Sequence, residues 1–246
     1  ISPDETLRIV QELYEKKMTT YPRTDARVLS TAVAKEIHKN IGGLRNYALA
    51  APFAKEVLEQ GTYKNIAKTR YVNDKQITDH YAIIPTGQGL NNLAGLAPTA
   101  AKVYEVIVRR FLSIFYPPAV YQKFSLTLQV KEESFFASFK VLIQEGYLKV
   151  TDFSFKKENT AQKEDKENEN ESADEKCDAE LTNLLTHLKK GDTLSVDTYE
   201  IKEGETSPPK RYTSGSIILT MENAGQFIEA KRLLEDLQSR NERMFL

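Results

Sequence analysis

Between residues 19 and 25 the chain reads T-T-Y-P-R-T-D. Pro22 biases Tyr21 towards extended backbone, and in an extended chain residues i and i+2 point to the same side. Tyr21 and Arg23 are therefore expected to project together. A free tyrosine has a pKa of about 10 and is a weak nucleophile at neutral pH. A guanidinium beside it would favour the phenolate and could hold a phosphate through two hydrogen bonds. Together they are the minimum for attack on a phosphodiester; a surface turn is the bland alternative.

Two further stretches carry groups of the same kind. Residues 72–86 read V-N-D-K-Q-I-T-D-H-Y-A-I-I-P-T. There Asp79 precedes His80 and could orient or charge its imidazole, for contact with a phosphate or for proton transfer. The alternative is a hydrogen-bonded histidine opening a buried segment. His38 and His187 lie in charged, helix-like surroundings and are expected to face solvent. In residues 207–225, Lys210 and Arg211 abut Tyr212, and Thr213, Ser214 and Ser216 lead into a helix. Basic, aromatic and hydroxyl groups at a helix start suit contacts to a phosphate backbone; a loop with a hydroxyl cap is the plainer reading. No glycine-rich phosphate loop, metal-ligand spacing or D-x-D cluster accompanies them. The expectation is that these residues bind no metal and are not a complete metal-assisted enzyme.

The elements that must position these groups follow from composition and periodicity. The chain has 246 residues, 40% hydrophobic and 28% charged, enough for one large or two modest domains. No apolar run is long enough for a membrane span. The first residues lack the basic and apolar regions of a signal peptide, and the sequence reads as a piece of a longer protein. Cys177 has no second cysteine to pair with, which suits a cytosolic compartment. The triplet N-E-S at 170–172 matches a glycosylation acceptor, but no secretion signal supports it. Residues 1–120 hold 16 lysines and arginines against 11 acids, and residues 151–180 hold 5 against 11. A basic first half is compatible with a polyanionic partner.

Ser2, Pro3 and Glu5 form a helix-start signature, followed by Leu7, Val10, Leu13 and Tyr14 as an apolar stripe closed by E-K-K. A second helix is expected over residues 31–39, capped by Ser30 and stopped by Gly42 and Gly43. A third is expected over residues 99–115, ending before Pro117 and Pro118. After that the period changes to two. K-F-S-L-T-L-Q-V reads as a half-buried strand, and F-F-A-S-F-K-V-L-I, Y-L-K-V-T-D-F and D-T-L-S-V-D-T-Y-E-I-K-E-G read as more strands. Residues 156–180 are dense in charge and read as a mobile surface insertion. The end returns to helix, with Ile228, Leu233, Leu234 and Leu237 as its stripe. The fold class expected is α+β and multidomain.

T-T-Y-P-R-T-D, D-H-Y-A-I-I-P-T, V-R-R-F-L-S-I-F-Y-P-P-A and P-P-K-R-Y-T-S-G-S-I-I-L-T-M-E-N-A-G occur in this order. In order and spacing they resemble four blocks of the type IA DNA topoisomerases, closest to the bacterial topoisomerase III branch. The resemblance runs over nearly the whole chain. It implies that Tyr21 attacks a DNA phosphodiester and forms a 5′-phosphotyrosyl link, so that strand passage and religation need no ATP. It further implies that Arg23 holds the scissile phosphate, that His80 assists, and that Thr24 and Asp25 fix the loop. Lys210, Arg211, Tyr212 and Thr213 would contact the single strand; Arg109 and Arg110 would add backbone contacts or simply lie on a helix surface.

By the same resemblance, residues 1–117 would be the helical gate domain, 118–221 part of a β-rich arch, and 222–246 a helical connection towards the DNA-binding base. The implied partners are single-stranded DNA, the Toprim and base domains of the same protein, and a helicase. The implied location is the cytoplasm, at the nucleoid. Mg²⁺ would be held by the Toprim domain, which lies outside this chain, as does the G-I-G-T-P block expected after Leu246. A second departure is Tyr81 where the family often has a second histidine. The chain alone is therefore expected to be inactive, and the competing reading is a non-catalytic single-strand DNA-binding module on the same fold.

Overall fold

The computed structural model describes residues 1–154, 183, 185–196, 198, 200–201, 203–206 and 208–225. The expected insertion at 156–180 and the apolar stripe from Ile228 to Leu237 lie outside the described residues. Residues 9–195 form one compact unit, and residues 1–8 with 196–246 form another.

Helix α1 spans Pro3–Glu15 and opens as expected, with the Glu5 N–H donating to Ser2 Oγ at 3.1 Å. Its buried residues are Ile9, Val10 and Leu13, whereas Leu7 and Tyr14 are about two-fifths exposed. The apolar face is thus rotated from the expected one. Helix α2, Thr31–Leu44, is capped by Ser30, whose hydroxyl accepts from the Val33 N–H. It runs through Gly42 and Gly43 rather than stopping there. A Cβ on Gly43 would sit 2.1 Å from the Gly87 carbonyl oxygen, so this glycine allows a close backbone approach, a role glycine serves as often as helix ending.

Helix α3, Ala51–Gln60, was not expected; Pro52 opens it and Gly61, at φ +66°, closes it. Helix α4, Pro98–Ser113, matches the expected third helix within two residues at each end. Tyr104, Val108 and Leu112, four apart, are fully buried on it. They join Leu13, Met18, Ile37, Ile41, Leu44 and Val57 in one core. The Tyr47 phenol packs against Tyr104, and burial, helped by the nearby Glu105 carboxylate, pushes its pKa up to about 12.

Strands β1, Val120–Val130, and β2, Glu133–Gln144, pair as an antiparallel hairpin in which Phe124 faces Phe139 and Leu128 faces Phe135. The two expected strands here are present, but the hairpin is less covered than half-buried strands would be: Leu128, Phe135 and Ile143 are all exposed. Two other expected strands are not observed. Gly146–Val150 is a 3₁₀ turn, because Gly146 (φ +50°) turns the chain tightly against the Pro117 and Pro118 carbonyls and Val150 drops into the helical core. The described residues between 192 and 204 form no strand; an extended run becomes one only when a neighbour completes its hydrogen-bond ladder. Helix α5, Ser214–Glu222, lies in the smaller unit. Helices plus an antiparallel pair are compatible with the α+β class.

Candidate active site

Tyr21 is placed by two segments zipped together from distant parts of the chain. Residues 18–20 leave α1 in extended form, and Thr19 bridges Pro85. The Thr20 N–H donates to the Ile84 carbonyl at 3.0 Å, and the Thr86 N–H to the Met18 carbonyl at 3.0 Å. The Thr20 hydroxyl donates to the Ala82 carbonyl and accepts from the Ile84 N–H. Beyond Tyr21, the Thr24 hydroxyl donates to the His80 carbonyl at 2.8 Å, and the Ala82 N–H to the Val28 carbonyl at 2.9 Å. Residues 80–86 are therefore held on both sides by the tyrosine-bearing segment.

This brings the Tyr21 and His80 rings together, with centroids 4.5 Å apart and a 44° tilt. The contact is ring against ring. On the other side Tyr14 meets Tyr21 edge-on, with centroids 5.4 Å apart at 80°. The three rings border a cavity of about 510 Å³ whose wall also includes Glu15, Lys17, Thr19 and Thr86. Thr19 is buried, and its hydroxyl has no hydrogen-bond partner among the described residues.

Arg23 is not in that cavity. It lines a second one, of about 310 Å³, with Thr24, Asp25, Thr78, Asp79 and His80. The expectation that Tyr21 and Arg23 project together is thus corrected: they border different cavities that share His80. The cause is the bend at Pro22, which breaks the alternation of an extended chain.

The cation bordering the Tyr21 cavity is Lys17. Its backbone sits in the left-handed region at φ +61°, a conformation that costs a residue with a Cβ about 1–2 kcal/mol. Three hydrogen bonds hold it there: the Lys17 N–H donates to the Tyr14 carbonyl at 2.8 Å, the Met18 N–H to Leu13 at 2.9 Å, and the Thr86 hydroxyl to the Lys17 carbonyl at 2.5 Å. Neither Tyr14 nor Lys17 stood out in the sequence. Tyr14 reads as part of an apolar helix face, and Lys17 as one of two cations closing a helix.

The other expected site residues fall into place separately. Lys210, Arg211 and Tyr212 are exposed in the smaller unit, just before α5. Thr213 caps that helix: its hydroxyl accepts from the Ser216 N–H at 3.1 Å, and its own N–H donates to Ser216 Oγ at 2.8 Å. Arg109 is neither a backbone contact nor a surface residue. It is buried, donating to Glu105 at 2.7 Å and to the Val150 carbonyl at 3.0 Å. Burial would raise the Glu105 pKa, but hydrogen bonds from Ser154 and from Arg109 outweigh it and hold the carboxyl below its usual value. Arg110 is exposed, as are His38 and His187.

Among the described residues no three His, Cys, Asp or Glu side chains converge as metal ligands. No helix among the described residues is long and apolar enough to cross a membrane.

A sequence model of a family described as DNA topoisomerase matches residues 1–226. The chain is 34% identical to DNA topoisomerase 3 of Bacillus licheniformis over 239 residues, which is 96% of this chain and 30% of that protein. It is 32% identical to DNA topoisomerase 3 of Bacillus cereus over 243 residues, 97% of this chain and 30% of that protein. With DNA topoisomerase 3 of Bacillus subtilis the identity is 32% over 231 residues, 94% and 29% of the two chains. The chain thus spans about three-tenths of the length of these relatives.

Proposed function

We propose that this chain, which belongs to the type IA DNA topoisomerase family, carries the nucleophile of a single-strand DNA transesterification. The observation that carries this reading is the apposition of Tyr21 and His80 in one cavity, across two segments far apart in sequence. The Tyr21 oxygen would bond to a backbone phosphorus as the bond from that phosphorus to the 3′ oxygen breaks. The phenolic proton would pass to solvent, which reaches the half-exposed ring, and the freed 3′ oxygen would gain a proton. The reverse attack reseals the strand; because one phosphoester replaces another, no ATP is consumed. The His80 ring meets the Tyr21 ring at a 44° tilt, and as an imidazolium it would donate to the phosphate. His80 also borders the Arg23 cavity, so Arg23 is proposed to reach the same phosphate from that side.

The other parts of the reading follow the family. Residues 1–117 would act as the gate that lifts with the covalently held end, 118–221 as part of the arch, and 222–246 as the connection to the DNA-binding base. Lys210, Arg211, Tyr212 and Thr213 would contact single-stranded DNA. Mg²⁺, which screens phosphate charge when bound, would be held by acidic residues of a Toprim domain outside this chain. The chain by itself would then neither cleave nor relax DNA; Mg²⁺-dependent relaxation by the isolated chain would refute that. The full-length protein would act at the nucleoid, with a helicase as its candidate partner.

The test uses the full-length protein with Mg²⁺ and an end-labelled single-stranded oligonucleotide, trapped with denaturant. A denaturant-stable adduct is expected in the wild type and absent in Tyr21→Phe. An adduct unchanged in Tyr21→Phe would move the chemistry to another residue. No adduct even in the wild type would favour the binding-module reading.

A further inference from the structure

We infer that Lys17 is a phosphate-contact residue of the Tyr21 cavity, holding a backbone phosphate of the bound single strand next to the one under attack. The inference rests on the reading of Tyr21 given above. Arg23 borders the neighbouring cavity, so the wall around Tyr21 has Lys17 as its cation and Glu15 as its acid. The Lys17 side chain is exposed and forms no ion pair among the described residues, whereas the adjacent Lys16 is paired with Glu12.

The backbone argues in the same direction. Lys17 is at φ +61° in the turn that closes α1, where glycine is the residue free of steric cost. Lysine there is unfavourable for the fold, and its side chain offers a charge that glycine would not. The bonds to Tyr14 and Thr86 fix the Lys17 backbone beside the ring pair, since Tyr14 touches Tyr21 directly, and leave the flexible side chain within reach of the cavity. A point charge so placed suits a phosphodiester, which needs no directional fork.

Substituting glycine separates the two roles of the residue, because Lys17→Gly removes the charge while relieving the backbone. In the full-length protein, Lys17→Gly is expected to keep or raise the melting temperature. It should weaken single-strand binding about fivefold, irrespective of sequence, and lower the salt slope of log K by about 0.7, the value of one phosphate contact on a single strand. Lys17→Arg should restore both quantities. Unchanged affinity and slope in Lys17→Gly would overturn the assignment, as would lost binding accompanied by a lower melting temperature. The Tyr21 adduct assay, run in parallel, keeps the two claims apart. If the wild type forms no adduct but Lys17→Gly still lowers the slope, the functional reading falls and the Lys17 contact stands. If the adduct forms normally and the slope is unmoved, the reverse holds.

Discussion

Tyr21 has freedom about its side-chain bonds, and what limits that freedom is the pair of rings on either side. The edge-on contact with Tyr14 is of a kind worth about 0.5–1.5 kcal/mol beyond area burial. If it holds Tyr21 in its reactive orientation, Tyr14→Ala should slow adduct formation up to about tenfold, since about 1.4 kcal/mol is a factor of ten. Tyr14→Phe should keep the rate, and single-turnover cleavage by the full-length protein measures both. The second residue-scale prediction concerns Arg109. Its ion pair with Glu105 is almost fully buried, so Glu105→Gln leaves a charge without its partner and should cost about 3–5 kcal/mol in urea unfolding. Replacing both with apolar residues of similar size should cost less than either single change. An arginine that met DNA would instead show its effect in binding.

At the scale of elements, the tyrosine-bearing segment, residues 80–87 and α2 depend on close backbone contacts. Gly43 meets Gly87 so tightly that Gly43→Ala must move one of them, and a loss of about 1–3 kcal/mol is expected, typical of overpacking. Gly42, with nothing within 4 Å of an added Cβ, should gain up to about 1 kcal/mol as alanine through helix propensity. Thermal unfolding of the two variants side by side checks the contrast. Helix α3, the end of α4 and the turn Gly146–Val150 are linked through Glu56, which accepts from Lys149 at 2.7 Å and from the Tyr116 hydroxyl at 2.8 Å. The Lys149 hydrogen bond is the largest effect on the Glu56 carboxyl; burial opposes it, and with the Tyr116 hydrogen bond and the Lys149 charge added the carboxyl is held below its usual 4.5. A depressed carboxylate stabilises the fold above its unfolded pKa, and that stability is lost as pH falls through the folded value. Lys149→Met should therefore be less stable than wild type at pH 6, with the gap closing below about pH 4, as denaturant titrations across that range would show.

For the molecule as a whole, the hairpin is the part whose shape asks for company. Leu128 and Phe135 face each other on one side of it with Phe124 and Phe139; Leu128, Phe135 and, at the bulge near its open end, Ile143 are exposed. A two-stranded sheet with an apolar face open to water is marginal by itself. The isolated chain should bind a hydrophobic dye such as ANS, and Leu128→Lys with Ile143→Lys should reduce that binding while changing stability by no more than about 0.5 kcal/mol per site. Unaltered dye binding would place the exposed surface elsewhere. What the sequence by itself determined were the features set by near neighbours: the caps at Ser2 and Ser30, the start and end of α4, and the alternation of the hairpin. These follow from local hydrogen bonding and periodicity, which span only a few residues. Only the tertiary structure decided that Tyr14 and His80 meet Tyr21, that Arg23 borders a neighbouring cavity, that Arg109 is buried and that Lys17 borders the Tyr21 cavity. Each of those depends on segments distant in the chain being zipped and packed together, and on one bend at Pro22, and no short-range pattern carries that information.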